Sequence, residues 1–272
     1  MDPRALELLE LPAILDRLAA EAASEPGKDR SLALVPSGDP DEVDRRQSLT
    51  REAIDLFERS EEPDVADVRD VRHTAEVAAR GSALDTYALR SIATSIVAAT
   101  AARASIVTAG DAPGLEELAA GVDPALVRLS EPIARAVEDD GSDLRDGASP
   151  ALRRLRRELR EGRGRITERL RALARDPTLR EHLSEDFVTE RAGRPVLALR
   201  ASARGAVPGI VHDSSGSGQT LFVEPFAVVD DSNRLREAES AEREEVTRIL
   251  RELSRAVGDQ ADGIVSLVGR RR

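Results

Sequence analysis

Leu152, Leu155, Leu159, Ile166 and Leu173 fall on the a and d positions of one seven-residue repeat. That spacing is a coiled-coil seam, and it constrains the fold because such a seam stays in water unless a second helix covers it. Ser149 at the N-cap and Pro150 at the first helical position open the element in the expected order. Gly162 occupies one seam position, where it weakens a helix by about 1 kcal/mol. Helical spacing returns after Pro225, with Leu235, Ala238, Val246, Ile249, Leu250, Leu253 and Val257 on one side. The two helices, residues 149–175 and 226–257, are expected to pair antiparallel.

The period changes between them. Residues 187–191, 194–200, 207–213 and 220–224 read as short strands, separated by Ala192-Gly193, residues 203–206 and residues 214–218. They predict a small antiparallel sheet of successive hairpins at the tip of the helix pair, a clamp over residues 186–225. Ahead of residue 139 the pattern is helical, over residues 6–23, 41–59, 68–80, 86–107, 115–120 and 124–137. Residues 31–35 are a short continuation, and Pro26-Gly27 ends the first helix. The expectation is a mainly α protein: a helical core bundle over 1–138, and a lever over 139–257 carrying the β clamp. Residues 258–272 thin out into Gly, Asp and Arg270-Arg271-Arg272 and read as a truncated tail.

Composition agrees with long helices. Aromatic residues are 2% of the chain, charged residues 33% and hydrophobic residues 40%, a poor supply for a β-rich core. The net charge of -11 excludes a generally basic nucleic-acid binder. Cysteine is absent, which excludes disulfides and thiolate metal sites and is compatible with a reducing cytoplasm. The first apolar run carries Glu7 and Glu10, so it is not a signal peptide, and no run approaches 18 uninterrupted apolar residues, so no membrane span is expected.

The least ordinary stretch is HDSSGSGQTLFVEP, residues 212–225. Aligned with a phosphate-binding loop, it has Asp213 where the first Gly belongs and Gln219 in place of the Lys. A strand follows instead of a helix, and the chain's single lysine is Lys28, so the nucleotide reading fails. The stretch reads as a hairpin tip whose small residues tolerate positive φ. A hydrolase built on His212 requires a carboxylate and a serine within reach of its ring, and there is no Gly-x-Ser-x-Gly elbow. His73, His182 and His212 lack metal-ligand spacing.

Charge is distributed unevenly. Residues 151–175 hold ten arginines against Glu158, Glu161 and Glu168, a local +7. The clamp adds Arg191, Arg194, Arg200 and Arg204. The planar guanidinium suits phosphate oxygens, so Arg163, Arg165, Arg191, Arg194, Arg200 and Arg204 are the candidate nucleic-acid contacts. The competing reading neutralises the helix arginines with Glu237, Glu239, Glu244 and Glu245 on the facing helix.

Three stretches together resemble one family. EPGKDRSLALVP at 25–36 is similar to the start of the MutS core domain. DGSDLRDGASP at 140–150, running into the arginine-rich helix, is similar to the start of the lever in type-two MutS proteins. VTER at 188–191 and PGIVHDSSGSGQTLFVEP at 208–225 resemble that subfamily's most specific signature. The resemblance covers residues 1–257. It implies a helical core, a long lever and a clamp, without the mismatch-reading and connector domains of repair MutS. It further implies homodimers that act on branched DNA to suppress recombination, or on ribosomal RNA in the rescue of collided ribosomes. ATP, Mg²⁺ and any nuclease chemistry belong to domains expected beyond this chain, which is itself expected to carry no catalytic, cofactor or metal residue.

Overall fold

The computed structural model describes residues 3–59 and 61–269, leaving out the side chains of Pro3, Ala5, Asp186 and Phe187. The basic Arg270-Arg271-Arg272 lies outside the described residues. The chain divides into two compact units: the described residues up to Ala148 together with those from Arg248, and Ser149–Thr247.

The first unit is helical. It contains α1 (Pro3–Leu8), α2 (Leu11–Glu21), α3 (Glu25–Leu32), α4 (Pro40–Glu58), α5 (Arg72–Ala79), α6 (Thr86–Ala109), α7 (Pro113–Ala119) and α8 (Val127–Ala136). Short polar caps set the starts: Asp39 accepts from Asp41 N at 3.1 Å, and Asp85 from Ala88 N at 2.7 Å. Pro26-Gly27 does not end the first helix as expected. Ser24 caps α3, and Pro26 sits in its first turn, where a missing N–H costs nothing.

α6 is the one described helix long and apolar enough to cross a membrane by length and composition. Its buried residues Leu89, Ile92, Ala93, Ile96 and Ala99 recur in threes and fours, the stripe of a helix packed on one side. The acidic loop after α8 is closed by Arg145, which reaches Glu138 at 3.1 Å and Asp139 at 2.8 Å, with Arg90 on Asp139 at 2.9 Å. The Arg145 hydrogen bond, reinforced by both guanidinium charges, holds the Asp139 carboxyl below its ordinary range.

The last residues depart from the expected tail. Ala261–Leu267 forms a helix, α12, and Ile264 within it is fully buried. Its apolar positions are only three residues apart, too few to show a period in the sequence.

The second unit begins with α9 (Pro150–Arg175), followed by α10 (Pro177–Arg180) and a four-stranded sheet. The strands are β1 (Leu183–Arg191), β2 (Arg194–Arg200), β3 (Gly209–Ser214) and β4 (Thr220–Pro225). α11 (Phe226–Gly258) leaves the unit after Thr247. Ser149 meets Glu245 at 2.6 Å, Arg156 meets Glu242 at 3.1 Å, Arg163 meets Glu239 at 2.9 Å and Arg169 meets Asp231 at 2.5 Å. Numbers rise on α9 as they fall on α11, so the two run antiparallel. The buried positions of α9 are Leu152, Leu155, Leu159, Gly162, Ile166 and Leu170. Leu170 is buried where the expected seam continued to Leu173, which is only partly buried, because a helix of 3.6 residues per turn drifts off a strict seven-residue repeat. Gly162 has a packing reason, since a Cβ there would meet Leu235 Cδ1 at 3.2 Å.

The sheet is antiparallel, but not a run of successive hairpins. Its order is β1-β2-β4-β3, with Leu197 paired to Val223 and Arg200 to Thr220. The eight residues between β2 and β3 include a 3-10 turn at Ala201–Ala203, too long a link for a tight hairpin. β3 therefore passes outside β4. Strand bounds shift with it: β1 starts at Leu183, and Val207 leaves the strand yet is buried in the same core. One sheet face buries Leu183, Leu197, Leu199 and Val223 against Ile166, Leu170 and Val228 of the helices.

Two glycines give the fold a stability test. A Cβ on Gly258 would lie 2.7 Å from the Ala78 carbonyl oxygen, whereas one on Gly216 would meet nothing within 4 Å. Gly258→Ala is expected to lower the unfolding free energy by about 1–3 kcal/mol, and Gly216→Ala to change it by less than about 0.5 kcal/mol, both read by urea denaturation.

Candidate nucleic-acid interface

Strand alternation sorts the clamp arginines. Arg194, Val196, Ala198 and Arg200 share one face of β2, and register places Arg191 beside Arg194 and Phe222 beside Ala198. Val196, Ala198 and Phe222 form a small second core there, on the side away from the helices.

Arg191 covers that core. Its guanidinium carbon stands 3.9 Å above the Phe222 ring, and Nη1 donates to the Glu190 carbonyl oxygen at 2.8 Å. Asp213 lies 3.9 Å from its Nε. Arg194 is held more tightly. Both terminal nitrogens donate to Asn233 Oδ1 at 2.9 Å, and Nη1 reaches Glu224 Oε1 at 3.3 Å. The Glu224 side chain is 1% exposed, so its charge needs partners. His212 Nε2, 2.7 Å from the other oxygen, is the second. A β-bulge between Val211 and Asp213 turns His212 inward.

Arg200 and Arg204 differ from these. Both are exposed, and no side-chain partner is found for either among the described residues. Their backbone is fixed, because Arg200 N donates to the His182 carbonyl at 2.9 Å and Arg204 N to the Ala201 carbonyl at 3.3 Å. Ala201 N donates to the Gln219 carbonyl at 2.8 Å, which ties this 3-10 turn to the hairpin of residues 215–219. The hairpin is closed by Ser215 N on the Thr220 carbonyl and Gly218 N on the Ser215 carbonyl, both at 2.8 Å, with Gly218 at φ 68°. Residues 212–225 thus form a tight turn between paired strands, and no helix follows the glycines. The result is a rim with two exposed arginines, unpartnered among the described residues, on a turn tied to the hairpin of residues 215–219.

Arg163 and Arg165 lie elsewhere, on α9. Arg163 is paired with Glu239 at 2.9 Å, and Arg165 lies 4.0 Å from Glu161. Both side chains remain more than half exposed, at 65% and 57%. The six candidates therefore do not converge on one point. Two are free at the rim, two brace the sheet and two are ion-paired on the helix.

The buried network of Glu224, His212, Arg194 and Asn233 escaped the sequence reading. Alternation offered a signal: Glu224 shares a face with Phe222 and so points toward a covered position. No serine hydroxyl is bonded to the His212 ring among the described residues, so no hydrolytic triad forms around it. Nor do three His, Asp or Glu side chains gather as metal ligands among those residues.

Fold and site together define a mainly helical scaffold that carries a small arginine-bearing sheet on two antiparallel helices. No family model matches the chain. It is similar to endonuclease MutS2 of Thermomicrobium roseum, 38% identical over 97% of this chain and 33% of that protein. Endonuclease MutS2 of Pelotomaculum thermopropionicum is 35% identical over 97% of this chain and 34% of its own length, and that of Symbiobacterium thermophilum 37% over 97% and 33%. The chain is thus a homologue of the MutS2 proteins, spanning about a third of the length of these curated relatives.

Removing the Glu224 charge strands Arg194 and His212. Glu224→Gln is expected to lower stability by about 2 kcal/mol, and Arg200→Ala by less than about 0.5 kcal/mol. Thermal and urea unfolding of both variants measures the difference.

Proposed function

We propose that this chain is the core, lever and clamp portion of a MutS2-type protein, with the antiparallel helices as a coiled-coil lever. The clamp binds nucleic acid, branched DNA before ribosomal RNA, through its rim. The observation that carries this reading is that Arg200 and Arg204 are exposed and unpartnered while Arg191 and Arg194 are engaged within the sheet. Two free guanidinium groups on a fixed backbone suit phosphate oxygens, and their role is to position the backbone, without reading bases. Arg191 and Arg194 serve the site indirectly, by holding the strands that end in the rim. The relatives' name, endonuclease MutS2, supports a nucleic-acid ligand. No catalytic step is assigned to residues of this chain.

A second reading treats the arm as a protein-interaction lever, for dimerisation or for ribosome rescue without direct DNA contact. The pairing of Arg156, Arg163 and Arg169 with acids on α11 favours it, since neutralised arginines bind phosphate less well.

The two separate in a salt titration of binding to a four-way DNA junction. Under the first reading, Arg200→Ala with Arg204→Ala reduces the slope of log affinity against log salt by about 1.8, about 0.9 for each phosphate contact. An unaltered slope, or dimerisation with no affinity for the junction at low salt, favours the second.

A further inference from the structure

We infer that the outward side of α9, at Arg153, Arg154 and Arg157, is a second phosphate-binding surface for duplex nucleic acid. It shares the choice of ligand with the reading above, and of the candidate contacts named so far only Arg165, three helical turns after Arg154, lies on the same side.

Helical spacing puts these three arginines within one arc, opposite the buried Leu152, Leu155 and Leu159. All three are exposed, and none has a hydrogen-bond or ion-pair partner among the described residues. Their neighbours on the flank behave differently, with Arg156 reaching across to Glu242 at 3.1 Å. Arg153 and Arg157 are four residues apart, and Arg154 and Arg157 three, so like charges face each other along the helix, which is destabilising. Arg153 is also the fourth residue of α9, where a cation opposes the positive end of the helix dipole. The like-charge pairs weaken the helix that carries them, and Glu158 and Glu161, four residues on from Arg154 and Arg157, offset only part of that, since neither forms an ion pair with these arginines among the described residues. A polyanion along this face would relieve both repulsions.

The same side carries another feature with no internal cause. Gly164 follows Arg157 by seven residues, is exposed, and would meet nothing within 4 Å if it bore a Cβ. Gly162 is explained by Leu235, but nothing inside the protein asks for Gly164 in mid-helix. Close approach of a foreign backbone does. The acids beside them, Glu158 and Glu161, are two against Arg153, Arg154, Arg157 and Arg165, and Glu161 lies 4.0 Å from Arg165, so this side keeps a positive excess. A phosphate backbone, with regularly spaced charge and no demand for an apolar pocket, is the ligand that a helix face of arginine and glycine fits.

The test uses the 272-residue chain with Arg153, Arg154 and Arg157 all changed to Gln, a 30-base-pair linear duplex as probe, and Arg200→Ala with Arg204→Ala in parallel. The expected result has opposite signs. The melting temperature stays level or rises, while affinity for the duplex falls roughly tenfold or more and the salt slope drops by up to about 2.7. Replacing the same three by Lys should restore most of the affinity. A lowered melting temperature would assign the arginines a structural role and overturn the inference. So would unaltered affinity and slope. A loss confined to the rim variant overturns this inference and leaves the rim reading standing, whereas a loss confined to the α9 variant removes the rim reading and keeps this one.

Discussion

The sheet cannot stand alone. Four strands of six to nine residues bury one leucine-rich face, and that face closes on Ile166, Leu170 and Val228, with Leu173, Leu179 and Leu235 packed at its margin. The buried stripe of α9 continues directly into this core, since Ile166 and Leu170 follow Leu152, Leu155 and Leu159 along one side of the helix. A single buried stripe thus runs along α9, and its second half covers the sheet. Everything proposed for the rim depends on that continuity, because a displaced sheet would carry Arg200 and Arg204 with it.

Arginine serves three separate ends in the second unit. Arg156, Arg163 and Arg169 fix register between the helices. Arg191 and Arg194 act as packing residues, one stacked on Phe222 and one threaded between Asn233 and Glu224. A third group faces water with no ion-pair partner among the described residues. Residue type alone does not distinguish these groups. What distinguishes them is the presence of an acceptor within reach, and acceptors come from positions as far away as Glu242, 86 residues on from Arg156.

That separation explains how much was legible in advance. The helices could be read because their apolar stripes are long, and the strands because their period changes sharply after Pro177. The sheet order could not be read, since nothing in the residues between Arg200 and Gly209 says that β3 will pass outside β4. Helix α12 was missed because its buried positions are too few. At the site, six arginines were picked by type and only their pairing sorted them. The cluster on Arg153, Arg154 and Arg157 was counted in the local charge, yet its isolation became visible only once the acids of α11 were seen to face the other side.

The strand order also bears on how the unit comes together. β1 with β2, and β3 with β4, are each neighbours along the chain, whereas the β2–β4 ladder joins Leu197 to Val223 across the whole intervening segment. Two hairpins can thus form early and locally, and the ladder between them must wait for the slower search that brings distant segments into line. That central ladder also sets the spacing between the strand ends at Leu183 and Pro225, through which α9 and α11 meet. The four paired positions of that ladder are therefore the long-range step in assembling the sheet, and the strands on either side of it need only their own turns.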